Sequence, residues 1–420
     1  MREARGMMHR HSGLIFTGHT LSVPLEHRRP TGPRIEIFAR EVRENDPAAE
    51  SRPFLLYLQG GPGHRAPREL PVWLRRAVRD YRVVLLDQRG TGRSTPLTRQ
   101  TLARVDDPAG HLAHFRADSI VADAELLRAH LAGDRPWSVL GQSFGGFCAV
   151  TYLSFAPQGL REVIITGGLP GLTATAEDVY RAAYPRVLAH NERYYARYPE
   201  DEALARRVVD ALRDQDARLP GGDRLTPRRF QTLGIHLGSQ ARFDLLHHLL
   251  EEAFAGPELS EVFLRRVDAA ISFAEFPLFA TAHEAIYGQG AATGWAAHRV
   301  RDEFPAFDLD AGGPVRFTGE MIYPWLFEED PALIPLAGAA GRLAAKDDWP
   351  ALYDPARLAA NEVPVVAAVY HDDMYVDRDM SLATAATVKG LRPWVTNEYA
   401  HDGLGRSERV LDRLLELLKD

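Results

Sequence analysis

Ser143 lies in Gly141-Gln142-Ser143-Phe144-Gly145, a Gly-x-Ser-x-Gly pattern in which an apolar run, WSVLGQ (137–142), passes into a helical one, GGFCAVTYLSF (145–155). Glycines on both sides allow a turn tight enough to leave the serine strained, with its hydroxyl clear of the sheet edge. The start of the helix behind it offers unpaired N–H groups to a developing oxyanion. This is the setting of a serine nucleophile. The same letters also fit an N-cap serine in an ordinary strand-to-helix loop, whose hydroxyl would bond the first helical turn.

A serine nucleophile needs a base, and the base needs a carboxylate that holds its imidazole in the proton-accepting tautomer. On a sheet entered this way the chain order is serine, then acid, then histidine, the last two on loops after late strands. HDDMYVDRD (371–379) follows the apolar run VPVVAAVY (363–370) and carries Asp372, Asp373, Asp377 and Asp379; His401 follows RPWVTNEYA (392–400). His401 is the expected base and Asp373 the expected acid. His371 is a rival base, but it precedes the acid and comes directly off a strand end. The aspartates lack the glycine and terminal glutamate of a calcium loop. The chain contains neither HExxH nor a Cys/His ligand set, so no metal and no cofactor is expected. Gly90-Thr91-Gly92 lacks the third glycine of a dinucleotide turn.

The elements that must position these groups read as a parallel sheet covered by helices. FLLYLQ (54–59), RVVLLDQ (82–88), WSVLGQ and REVIIT (161–166) are apolar almost throughout, as strands buried on both faces should be. Helical patterns lie near 70–79, over 119–131 and after Ser143. TLSVPLEH and RIEIFAREV read as an antiparallel lead-in. From 174 to 346 the pattern turns to long helical stretches, and strand and helix alternation returns with 363–370, a helical run through Leu391, 392–399 and a final amphipathic helix, SERVLDRLLELL. The expected architecture is an α/β-hydrolase fold with a mostly parallel sheet flanked by helices: core residues 1–173, an inserted helical cap at 174–346, and the rest of the core at 347–420. Gln59-Gly60-Gly61-Pro62-Gly63 follows the first central strand, where this fold keeps its second oxyanion donor.

With these motifs in place, the chain resembles the proline iminopeptidase (prolyl aminopeptidase) family. QGGPG (59–63) is similar to that family's HGGPG, DQRGTGRS (87–94) to its DQRG-GxS segment, and GQSFGG (141–146) to its GxSxGG elbow. HDDM (371–374) resembles the end of the family's acid stretch and puts the acid on Asp373, and Ala400-His401 matches its histidine loop. The resemblance covers about residues 35–168 and 363–405, with the cap matched only in outline. It implies oxyanion donors at the backbone N–H groups of Gly61 and Phe144. It also implies a cap glutamate for the substrate's amino group, and Glu320 in GEMIYPWLF (319–327) is the nearest counterpart. Gln59 stands for the usual histidine, and Phe144 where many members have tryptophan. The implied activity is release of N-terminal proline, or another small apolar residue, from small peptides with a free N-terminus.

Composition narrows the field further. A formal net charge of −7 leaves no broad basic surface for nucleic acid. No run of about eighteen apolar residues could span a membrane. The N-terminus lacks the apolar stretch of a signal peptide. With a single cysteine, Cys148, no internal disulfide can form. A cytoplasmic protein is expected, and nothing in the sequence bears on its oligomeric state. Cys148, flanked by Phe147 and Ala149, reads as a small core residue. Two rivals remain at this stage: an esterase or general acyl hydrolase with the same triad, and a non-catalytic binding protein of the same fold.

Overall fold

The computed structural model describes residues 8–419. Nine strands form one sheet: β1 (Met8–His11), β2 (Leu14–Pro24), β3 (Arg34–Glu44), β4 (Phe54–Leu58), β5 (Arg82–Asp87), β6 (Trp137–Gln142), β7 (Leu160–Thr166), β8 (Val365–Tyr370) and β9 (Leu391–Thr396). Their order is β1-β2-β3-β5-β4-β6-β7-β8-β9. Strand β2 is antiparallel to both β1 and β3, and β3 is antiparallel to β5, while every neighbouring pair from β5 to β9 is parallel. The parallel strands β4, β6 and β8 are buried from end to end apart from Gln142, as their apolar runs require.

Helices α1 (Val72–Ala77), α2 (Ala117–Ala132), α3 (Phe144–Phe155), α8 (Arg378–Thr387) and α9 (Glu408–Lys419) cover the sheet. Between β7 and β8 the chain is largely helical, led by α4 (Ala176–Arg197), α5 (Glu200–Asp214), α6 (Gln240–Glu251) and α7 (Glu261–Ile271); its strand content among the described residues is a hairpin of two-residue strands. This segment has its own apolar core, built on residues such as Tyr184, Val208, Phe230, Leu250, Phe263 and Phe317. A second cluster, with Leu56, Val139, Cys148, Val163 and Ala367, lies between one sheet face and its helices. A third, with Leu55, Tyr57, Trp73, Leu140, Leu411 and Leu414, seals the other face under α1 and α9.

Several expectations need correcting. The antiparallel lead-in starts earlier than its alternation suggested, at Leu14, and gains β1, a wholly exposed edge strand with no apolar pattern to announce it. The segment LEH is not strand: β2 ends at Pro24, and after one further bond, from the Leu25 N–H to the Pro33 carbonyl at 2.8 Å, the chain leaves the ladder. The helix expected through Leu391 stops at Thr387, and Gly390 (φ +77°) turns the chain so that Leu391 opens β9. Cys148 is fully buried, and burial pushes its thiol well above the usual range.

Candidate active site

The carboxyl ends of β4, β6, β8 and β9 lie at one end of the sheet, the place where open α/β sheets put their ligand sites. Ser143 follows β6 with φ 53° and ψ −125°, conformational space that a side chain seldom occupies. Its own N–H is held by the Thr166 carbonyl at 3.0 Å, and its carbonyl accepts from Gly146 at 2.7 Å. The hydroxyl makes no capping bond to α3, so the N-cap alternative fails. The turn is possible because α3 passes with almost no clearance: a Cβ on Gly145 would lie 1.9 Å from the Leu58 carbonyl oxygen, and one on Gly141 would lie 2.4 Å from that of Gly145. Phe144 is the first residue of α3, where its N–H has no intrahelical partner.

Because β4 neighbours β6, the glycine loop after β4 packs directly on the serine. A Cβ on Gly60 would lie 3.0 Å from the Ser143 Cβ and 3.2 Å from the Gln142 carbonyl oxygen, so any larger residue there would press on the serine turn. The next residue, Gly61, has φ +126°. The loop is tied down by Gln88, whose Nε2 donates to the Gln59 carbonyl at 2.9 Å.

His401 and Asp373 meet across the ends of β8 and β9. His401 Nδ1 lies 2.6 Å from Asp373 Oδ2. The other carboxylate oxygen, Oδ1, accepts the N–H groups of Tyr375 (2.9 Å) and Val376 (3.1 Å), and Asp373 is only 2% exposed. The Asp373 carboxylate is therefore fixed at both oxygens. Burial disfavours the His401 imidazolium, but Asp373, Glu320 and Asp402 outweigh it, and the His401 pKa is raised above its ordinary value.

The neighbouring candidates are committed elsewhere. Asp372 pairs with Arg193 (3.1 Å) and His371 (2.9 Å). Asp377 caps α8 through the Met380 N–H and binds Arg186 at 2.5 Å. Asp379 takes Arg378 at 2.8 Å. His371, the rival base, is half-exposed between Asp372 and Arg378. Among the described residues, the clusters able to hold a metal ion involve Glu200, Asp201, His247, His248 and Glu251, none of which lines the serine's cavity.

That cavity, of about 930 Å³, is lined by Ser143, His401, Gly60, Gly61 and Glu320 together. Glu320 arrives from the helical segment, more than 170 residues after the serine. Burial pushes its carboxyl up to about 8, His401 pulls the other way and Asp373 adds to the rise. Tyr375 lines the same cavity.

A profile described as the alpha/beta hydrolase fold matches residues 53–229. Over 414 residues the chain is 49% identical to a proline iminopeptidase of Aeromonas sobria, with 97% of each chain covered. The chain belongs to the proline iminopeptidase family. A second relative, the proline iminopeptidase aneH of Aspergillus aculeatus, is 37% identical over 418 residues, covering 95% of this chain and 92% of that one. Membership in this family makes the chain a hydrolase of the α/β fold.

The family segment DQRGTGRS has a structural task in this iminopeptidase relative. Arg89, 1% exposed, forks onto Asp123 through Nε (2.7 Å) and Nη2 (2.6 Å) and donates to the Leu25 and His114 carbonyls at 2.8 Å each. Asp87 holds Arg68 at 2.5 Å and the N–H groups of Ala66 and Arg93, so the strap anchors the chain that follows the glycine loop.

Sequence reasoning missed several groups on the cavity wall. Tyr375, two residues past Asp373, packs edge-on to the His401 ring at 4.8 Å between centroids and donates to the Ile235 carbonyl. His64, one residue past QGGPG, stacks on Phe279 at 5.2 Å. Their adjacency to motifs was a usable signal for both. His236 and Arg242 carried none, because they come from the helical segment and reach the cavity only through tertiary packing.

Proposed function

We propose that this protein is a serine aminopeptidase that releases N-terminal proline, or another small apolar residue, from peptides with a free N-terminus. The observation that carries the reading is the convergence, in one cavity, of the strained Ser143, the Asp373–His401 pair and the half-buried Glu320.

In this reading His401 takes the Ser143 proton as Oγ attacks the scissile carbonyl, and Asp373 keeps Nδ1 protonated so that Nε2 is the accepting nitrogen. The N–H groups of Gly61 and Phe144 receive the oxyanion, a contribution of about 3 kcal/mol per donor. The imidazolium then protonates the leaving amine, and a water, deprotonated by the same nitrogen, cleaves the acyl-enzyme to free proline and regenerate the serine.

Glu320 supplies the reason for an aminopeptidase rather than a general acyl hydrolase. A simple ester has no use for a carboxyl beside the base, whereas a substrate ammonium would pair with it and drive off its proton. The sign of the pH dependence follows. Below about pH 8 the free Glu320 carboxyl is largely protonated, so binding a cationic amine releases a proton and strengthens as pH rises. Above the amine pKa, near 8 for an ordinary α-amino group, the substrate loses its charge and binding weakens. The kcat/KM profile for a prolyl amide should therefore be a bell centred near pH 8.

Glu320→Gln tests this directly. It should lower kcat/KM for a prolyl amide by about 100-fold, the scale of an unpaired charge in a partly dry site, and leave a nitrophenyl ester much less affected. Equal losses on both substrates would remove the amine-binding role.

A further inference from the structure

The cavity that holds Ser143 and Glu320 is also lined by three exposed arginines, Arg65, Arg68 and Arg242. Two are engaged by carboxylates: Arg68 by Asp87 at 2.5 Å and Arg65 by Glu275 at 3.8 Å. Arg242, in the first turn of α6, has no carboxylate within ion-pair distance among the described residues. Its Nη1 lies instead 2.6 Å from His236 Nδ1, and His236 Nε2 lies 3.3 Å from the Ala270 carbonyl oxygen.

This chain of contacts fixes the protonation pattern. A carbonyl can only accept, so Nε2 carries the hydrogen, and Nδ1 is left as the acceptor for the guanidinium. Burial, followed by the charge of Arg242, holds the His236 pKa down to about 4, and burial with Arg242 and then Arg65 does the same for His64. Arg242 is thus oriented by a neutral ring, which aims it without neutralising it. An arginine held by a carboxylate would have spent its charge; this one keeps it for something that enters the cavity.

Charges of both signs line the cavity: Glu320 interacts with His401 and Asp373, Arg242 and Arg65 act on His64, and Glu320 and Arg242 both act on Tyr375; Glu69 lies on the wall as well. Asp402, also on the wall, is taken by the Ser239 hydroxyl at 2.6 Å and lies 3.7 Å from Arg406. A peptide whose ammonium pairs with Glu320 and whose first carbonyl meets Ser143 carries at its other end a group of opposite sign, its terminal carboxylate.

We propose that Arg242, aimed by His236, binds the C-terminal carboxylate of the substrate peptide, so that the enzyme favours short peptides with a free C-terminus. This rests on the aminopeptidase reading above and adds the length and terminus of its substrate. Each residue extends a peptide by about 3.5 Å, so one length in a series should fit best.

The test compares Pro-Gly, Pro-Gly-Gly and Pro-Gly-Gly-Gly, each as free acid and as C-terminal amide. For the best length, the acid should exceed the amide in kcat/KM by about tenfold or more, expressed mainly in KM, as a charge-assisted guanidinium contact gives. In Arg242→Gln the acid-to-amide ratio should fall to about one, and Arg242→Lys should recover part of it. A wild-type ratio near one at every length, or a ratio unchanged in Arg242→Gln, overturns the inference while leaving the aminopeptidase reading intact. Failure to cleave acid and amide alike would overturn both.

Discussion

At the scale of single residues, the site depends on how completely each group is committed. Asp373 has both oxygens engaged, one by two backbone N–H groups and one by His401, so its orientation has no slack. Asparagine at this position can keep the backbone bonds only by turning its NH2 toward Nδ1, which forces the imidazole into the wrong tautomer. Asp373→Asn should therefore lower kcat by about 10³- to 10⁴-fold with little change in thermal stability. Asp372, paired at the surface with Arg193 and His371, offers the contrast: Asp372→Asn should stay within about threefold of wild type, as exposed ion pairs carry little energy. Steady-state kinetics on a prolyl amide decides, and the reverse ranking would reassign the acid. The sequence narrowed the acid to one nine-residue loop with four aspartates. Position and family resemblance favoured Asp373, whereas the commitments of the other three are visible only in three dimensions.

At the scale of elements, the serine turn is a packing solution as much as a chemical one. Strand β6 and helix α3 approach β4 so closely that Gly145 cannot carry a side chain without displacing the Leu58 carbonyl. Gly145→Ala should thus push strand from helix, cost about 3 kcal/mol or more, and reduce activity through the displaced turn. Gly338, exposed in the helix Ala337–Ala345 with open space around it, is the control: Gly338→Ala should be neutral or stabilising by up to about 1 kcal/mol. Thermal unfolding of the two variants separates them, and equal melting temperatures would mean that the turn is looser than its contacts indicate. Most of the sheet was legible because two-face burial writes itself as apolar runs. β1 was not, since an exposed edge strand has no buried face to constrain its residues, and the turn at Gly390 that follows α8 is a signal that a hydrophobic pattern does not register.

At the scale of the molecule, the helical segment both closes the site and furnishes it. Helix α4 reaches down to the acid loop, where Arg186 binds Asp377 at 2.5 Å and His190 Nε2 lies 2.7 Å from the Asp372 carbonyl oxygen. Arg116, at the start of α2, donates to the Gly288 (2.7 Å) and Pro350 (2.9 Å) carbonyls and ties the other side. The segment thus carries Glu320 and Arg242 to a cavity whose other groups, Ser143, His401 and the Asp373 behind it, follow strands of the sheet. Sheet motifs are local in sequence and could be recognised as such. The wall of the cavity is assembled from distant helices, so Glu320 was reached only through resemblance, and Arg242 not at all. Substrate choice is accordingly a property of the whole molecule, and the most direct measurement is kcat/KM for prolyl-, alanyl- and phenylalanyl-naphthylamides, each with a free and an acetylated N-terminus, with Ser143→Ala as the blank. The account predicts fastest cleavage of the free prolyl compound, near-complete loss on acetylation, and no turnover by Ser143→Ala; faster cleavage of the alanyl or phenylalanyl compound, or efficient cleavage of the acetylated one, would contradict it.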